Sequence, residues 1–264
     1  MFGFLHSIEP LYSVSGFIVG GLVGFTGVGG GSLMTPLLVL VFGIVPTTAV
    51  GTDLLYAAIT KSGGTLVHGL NGTIDWRITR RLASGSVPAT IVTLACLSWL
   101  GKSSGHGANG LITSLLGFAV LLTAIVLLFR DSLLALIARH TDGLSDGQAR
   151  LLTTLLGAFL GFLVSISSVG AGAIGMTVLL ALYPRLPTVR LVGSDIAHAV
   201  PLTFVAGFGY WLMGAVDWSL LASLLIGSLP GIAIGSHLAA RIPDRFLRPV
   251  LAGVLAIVGV KLSI

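Results

Sequence analysis

At 264 residues the chain is 55% hydrophobic and 9% charged, with a mean hydropathy of +1.04. Fourteen Lys/Arg and nine Asp/Glu are too few to wet the surface of a soluble protein, so the solvent is expected to be lipid. The pI near 9.9 does not point to nucleic acid, because the basic residues lie scattered between apolar segments, and the lone Cys96 excludes an internal disulfide or a cysteine metal site.

A helix needs about 20 apolar residues to cross about 30 Å of hydrocarbon. In chain order, hydropathy predicts helical segments at 11–28, 31–43, 48–69, 76–100 and 108–129. A polar stretch from Arg130 to Arg150 follows, and then segments at 151–168, 172–183, 190–213, 217–240 and 246–264. The first apolar stretch has no Lys or Arg before it, so no cleavable signal peptide is expected.

The two sets of five are copies. Gly51-Thr52-Asp53 recurs as Gly193-Ser194-Asp195, Ile74-Asp75-Trp76 as Val216-Asp217-Trp218, and Gly85-Ser86-Val87-Pro88 as Gly227-Ser228-Leu229-Pro230, all 142 residues apart. The cluster Gly27 to Gly31 answers to Ser168 to Gly172 at a spacing of 141. A duplicated apolar unit with matching glycine breaks is a plan used by membrane transporters. Five segments is odd, so the second copy is expected to enter the membrane upside down.

Charge placement agrees with that topology. With the N terminus outside, Arg77, Arg80, Arg81, Arg130, Arg139, Arg150, Arg185, Arg190, Arg241, Arg245 and Arg248 all fall on cytoplasmic connections. Lys102 and Lys261 fall outside, and Lys61 falls within a helix. The expected fold is an all-α integral membrane protein with about ten transmembrane or half-membrane helices. They form two inverted-topology five-segment repeats with glycine-rich broken helices. The repeats occupy 1–130 and 151–264, a cytoplasmic connecting loop fills 131–150, and both termini lie outside.

The second segment of each half is too short to cross alone, at about 20 Å for 31–43 and about 18 Å for 172–183. The glycines before it are therefore expected at membrane depth, where non-helical backbone is tolerated only beside a cavity, protein or ligand. The helix that follows would aim its N–H donors and positive dipole end inward, a seat for an anion. Gly29, Gly30, Gly31 and Ser32 would form one seat, and Ser168, Gly170 and Gly172 the other. Tight helix packing is the competing reading of such glycines, and the one preferred for Gly16, Gly20 and Gly24 and for Gly227, Gly231 and Gly235. A dinucleotide loop is discounted, because that fingerprint needs a soluble strand–turn–helix.

Charges inside the membrane are costly and mark candidate sites. Asp53 and Asp195 occupy matched positions and would lie toward opposite faces, taking and releasing protons or gating anions; simple helix-start chemistry is the alternative. Lys61 lies eight residues after Asp53, about 12 Å deeper, and its counterpart is Thr203. It reads as an anion-binding residue or as half of a structural ion pair. His198, with Tyr56 as counterpart, reads equally as a proton relay or a packed histidine. Thr52 and Ser194 offer hydroxyls. His68 suits a helix C terminus, and the two Asp-Trp pairs suit interfacial helix starts.

Gly20-x-x-x-Gly24-x-x-Gly27-x-Gly29-Gly30-Gly31, Pro36, Pro46, Gly51-Thr52-Asp53, His68 and Gly72-x-Ile74-Asp75-Trp76 resemble the TauE/SafE sulfite exporters. The likeness continues through Gly161, Gly170, Gly172, Pro187, Gly193-Ser194-Asp195 and Asp217-Trp218, so it covers nearly the whole chain. Ala171 stands where the first elbow has a glycine, which suggests different roles for the two elbows. The resemblance implies a cell inner-membrane transporter of sulfite, sulfoacetate or another small sulfur-containing anion, by export or import.

The resulting expectation is a secondary transporter working by alternating access, not an enzyme. Its partners would be a small anion and the lipid bilayer, with no cofactor and no nucleic acid. An anion channel or an uptake permease would use the same features. An intramembrane enzyme is a remote alternative, since Glu9 is the only glutamate and Ser194 with His198 do not by themselves make a protease. Glycine-spaced faces could pair within one chain or between two, which leaves a homodimer open.

Overall fold

The computed structural model describes residues 10–26, 31–104, 107–130, 132–134 and 145–239, with 253, 256–257 and 259–261 near the C terminus. Its helices are α1 (Pro10–Thr26), α2 (Gly31–Leu40), α3 (Pro46–Leu70), α4 (Trp76–Ser104) and α5 (Gly107–Leu128). They continue with α6 (Asp146–Ser167), a π-helical turn (Ala171–Gly175), α7 (Met176–Leu182), α8 (Thr188–Leu212) and α9 (Trp218–Ala239). No strand occurs among the described residues. Among the described residues, three helices are long and apolar enough to cross a membrane: Trp76–Trp99, Asp146–Ser167 and Thr188–Leu212. Shorter apolar stretches lie at Pro10–Leu22, Thr113–Leu128, Ala171–Leu182 and Trp218–Ile234.

Local chemistry sets the ends of these helices. Asp75 caps α4, its carboxylate accepting from the N–H groups of Arg77 and Ile78. Asp217 caps α9 in the same way, accepting from Ser219 and Leu220. α3 and α8 stop at Gly72 and Gly214, whose φ values of +63° and +73° suit glycine. α6 starts at Asp146 instead of 151, because Ser145 and Gln148 form a capping box there. Of the tenth expected segment, 246–264, the described residues 253, 256–257 and 259–261 are helical.

Polar and apolar residues are distributed as lipid solvent demands. Thr52, Asp53, Ser86, Thr90, Thr153, Ser165 and His198 are fully buried, while Phe118 is 62% exposed and Leu212 71%. In water this arrangement would squander apolar burial; in hydrocarbon it hides hydrogen-bonding groups and leaves the greasy ones outside.

Helix backbones meet at glycines, and the meetings come in matched pairs. Gly85 of α4 lies against Thr154 and Ala158 of α6, and Gly227 of α9 against Ser13 and Phe17 of α1. Gly157 and Gly161 of α6 lie against Leu82 and Ser86, while Gly16 and Gly20 of α1 lie against Leu224 and Ser228. Between α3 and α8, Gly51 meets Tyr210 and Ala215, and Gly193 meets His68 and Thr73. Each second contact is the first moved along the chain by the spacing of the sequence repeat. Since Gly207 meets Leu55 and Gly64 meets Ile196, α3 and α8 run antiparallel.

Two hydrogen bonds obey the same pairing. The Asp75 N–H donates to Ser194 Oγ at 2.8 Å, and the Asp217 N–H donates to Thr52 Oγ1 at 3.1 Å. Each half thus supplies the hydroxyl that satisfies an orphan N–H at a helix start in the other.

Replacing Gly161 by Leu would drive a side chain into the Ser86 backbone, an overpacking expected to cost about 1–3 kcal/mol. The thermal midpoint of the purified protein should fall, while Gly63→Ala, which meets nothing within 4 Å, should leave it unchanged or raise it. Ser194→Ala should cost about 1 kcal/mol by orphaning the Asp75 N–H. Ser194→Thr should keep the midpoint, as Thr52 does at the equivalent place.

Candidate functional site

The second elbow interrupts the chain deep in the bundle. α6 ends at Ser167; Ser168 takes a left-handed φ of 56° and its N–H returns to the Val164 carbonyl at 2.7 Å. Gly170 follows with φ 101°, against Leu163, Ile174 and Thr123, and then the π turn leads into α7. Ser167 ties the bend, its hydroxyl bonding the Leu163 carbonyl at 2.8 Å and receiving the Val169 N–H at 3.1 Å. Tyr210 of α8 donates to the Ser165 carbonyl at 3.0 Å, filling an acceptor that the helix end leaves without an intrahelical partner. Leu160, Leu163, Ile174 and Leu179 pack the two arms together. The expected half-helix over 172–183 is thus a π turn plus a seven-residue helix.

In the first elbow, Gly29 and Gly30 lie outside the described residues. Gly31 opens α2, a ten-residue helix with Pro36 inside it. At about 15 Å it is too short to span. Ser32 lies in its first turn.

Around these breaks the charged residues gather. Asp53 is fully buried and its Oδ2 accepts from Thr35 Oγ1 of α2 at 2.5 Å. The Ser168 hydroxyl stands beside the same carboxyl but forms no well-aligned hydrogen bond, and Asp53 Oδ1 has no partner among the described residues. Asp195 of α8 sits over the π turn: a Cβ added at Gly175 would come 3.0 Å from its Oδ1, so glycine leaves the carboxylate its room. That oxygen, too, lacks a partner among the described residues.

Lys61, partly buried on α3, acts electrostatically on both carboxylates and on His198. Antiparallel packing of α3 on α8 sets its level between theirs. The one ion pair among the described residues is elsewhere, between Arg81 and Asp146 at 3.0 Å.

His198 is buried with Nε2 2.9 Å from Ser86 Oγ and Nδ1 unpartnered among the described residues. Its counterpart Tyr56 faces Ser228, the counterpart of Ser86. His68 lies in the last turn of α3, its Nδ1 2.8 Å from Thr73 Oγ1. Thr52 and Ser194, read as substrate hydroxyls, hold the helix starts described above, and Ser194 also donates to the Arg190 carbonyl at 2.6 Å. Gly172 lies within the π turn.

Thr35, Ser86 and Gly175 were not singled out by sequence. Thr35 carries no charge and sits beside a proline, and the repeat marked Ser86 as a copy without indicating its partner. Among the described residues no three His, Cys, Asp or Glu side chains form a group that could hold a metal ion.

Comparison with known proteins agrees with this architecture. The chain is 39% identical over 250 residues to the probable membrane transporter protein YjnA of Bacillus subtilis (strain 168), covering 94% of this chain and 96% of that one. It is 28% identical over 249 residues to YdhB, a probable membrane transporter protein of the same organism, covering 90% and 96%. It is 26% identical over 267 residues to a probable membrane transporter protein of Methanocaldococcus jannaschii, covering 95% and 93%. No solved structure gives a significant match. The family described as Sulfite exporter TauE/SafE matches residues 12–262. A helical, lipid-adapted chain with a buried helix break, matched over almost its full length, belongs to the sulfite exporter TauE/SafE family of membrane transporters.

Proposed function

We propose that this transporter moves small sulfur-containing anions, sulfite or an organosulfonate such as sulfoacetate, outward across the cell inner membrane by alternating access. The observation that carries the reading is the buried break from Ser168 to Gly175, set where Lys61 stands between two carboxylates. Non-helical backbone at depth supplies N–H donors, and the ammonium supplies the positive charge that a desolvated anion requires.

The anion is held between the elbows, by Gly29 to Ser32 on one side and Gly170 and Gly172 on the other, with Lys61 beside it. Thr52 and Ser194 fix the helix starts that frame the seat. Asp53, Asp195 and His198 couple or gate the movement. The halves, 1–130 and 151–264 about the linker at 131–150, act as inverted five-segment repeats with both termini outside. The matched glycine contacts and the antiparallel α3–α8 pair support that topology, and rocking one half on the other would alternate access.

Purified protein should bind sulfite saturably. Lys61→Ala should weaken binding at least tenfold, about 1.4 kcal/mol, while Lys61→Arg retains most of it. Failure of the wild type to bind sulfite or sulfoacetate would remove the substrate assignment. The topology has its own test. Asn71 and Met213 occupy equivalent exposed turns, so in a Cys96→Ser background an impermeant thiol reagent should label Met213→Cys on intact cells and Asn71→Cys only after permeabilisation. Labelling of both from one side would overturn the inversion.

A further inference from the structure

Asp53 stands where a carboxylate is doubly disfavoured. It is 0% exposed, and its neighbour Ser168, 6% exposed, is the C-cap of the 22-residue helix α6. A helix C terminus carries the negative end of the dipole and carbonyls without intrahelical partners. Lys61 is shared with Asp195, and one ammonium cannot balance two carboxylates. The remaining titratable neighbour is Tyr56. An uncompensated buried charge is costly.

Two oxygens in this spot have no hydrogen-bond partner among the described residues: Asp53 Oδ1 and Ser168 Oγ. Thr35 Oγ1 is a third oxygen at the same carboxyl. Its proton goes to Asp53 Oδ2, and its lone pairs are directed elsewhere. The donors are hard oxygens carrying a single negative charge, too little for the carboxylate-rich sites that divalent ions favour and suited to a monovalent cation.

We propose that Asp53 Oδ1, Ser168 Oγ and Thr35 Oγ1, at the carbonyl end of α6, seat one dehydrated sodium-class cation. The elbow then divides by sign: its α6 end attracts a cation and its α7 end the anion, as broken helices in membrane transporters can do with their two ends. As a coupling site this rests on the proposed anion transport; as a binding site it does not.

The test is the thermal midpoint of the purified full-length protein, without sulfite or sulfonate, as sodium chloride replaces choline chloride at constant ionic strength. The midpoint should rise saturably with sodium, as for any ligand of the folded state. The rise should persist in Asp146→Asn and vanish in Asp53→Asn. Ser168→Gly, which keeps the left-handed backbone, should raise the half-saturating sodium concentration several-fold, and it serves if Asp53→Asn does not fold. Equal wild-type midpoints in sodium and choline would overturn the seat, as would an unaltered sodium response in Asp53→Asn or Ser168→Gly. A sodium response without sulfite binding would remove the anion reading and leave the seat. Sulfite binding without a sodium response would do the reverse.

Discussion

Lipid tails give helices no hydrophobic reason to associate, so the packing of this transporter depends on how closely its backbones can approach. Gly16, Gly20, Gly85, Gly157, Gly161 and Gly227 let α1 meet α9 and α4 meet α6 at distances where any Cβ would strike a carbonyl or amide. Those crossings hold the outer helices, and between them α3 and α8 carry the charged residues. Dispersion and interhelical hydrogen bonds then supply what water would supply to a soluble bundle. The reciprocal use of Thr52 and Ser194 at Asp217 and Asp75 shows the economy of this: each hydroxyl satisfies a part-buried backbone donor at a helix start in the other half.

Against that background the unsatisfied groups stand out. Asp53, Asp195, His198 and Ser168 each leave a buried polar atom without a partner among the described residues, as do Tyr56, Thr65 and Ser228, in a protein that ties many of its other buried serines and threonines to backbone carbonyls. Asp53, Ser168 and Asp195 gather at the second elbow, where helical backbone is broken, and they are buried there. A fold that needed only rigidity would have no reason to leave these atoms open.

The two halves share a frame and differ in what they mount on it. Lys61 answers to Thr203 and His198 to Tyr56. On α4, Arg81 bonds Asp146 and Tyr183, and Tyr183 pairs with Thr153. At the corresponding place Ser223 replaces the arginine, and Tyr12 meets Phe42 edge-on with ring centroids 4.9 Å apart. One junction is closed by a polar network and the other by aromatic packing. Matched contacts set the architecture, and unmatched side chains give the two ends different chemistry.

Composition and repetition determined the lipid solvent, the all-helical class and the family likeness, because hydropathy and a fixed spacing of glycines and caps are local properties written along the chain. Asp53, Lys61, Asp195 and His198 were visible for the same reason: a charge or imidazole in an apolar run is conspicuous wherever it points. Their environment was not visible. That Thr35 reaches Asp53, that Ser168 comes to the same carboxyl from the other half, that Gly175 clears room for Asp195, and that Ser86 holds His198 follow from helices crossing between segments far apart in sequence. Thr52 and Ser194 make the distinction plainest. As hydroxyls beside buried aspartates they suggested ligands, and only tertiary packing gave them the backbone N–H groups of Asp217 and Asp75, because an orphan donor at a helix start takes whichever acceptor the opposing helix brings to it.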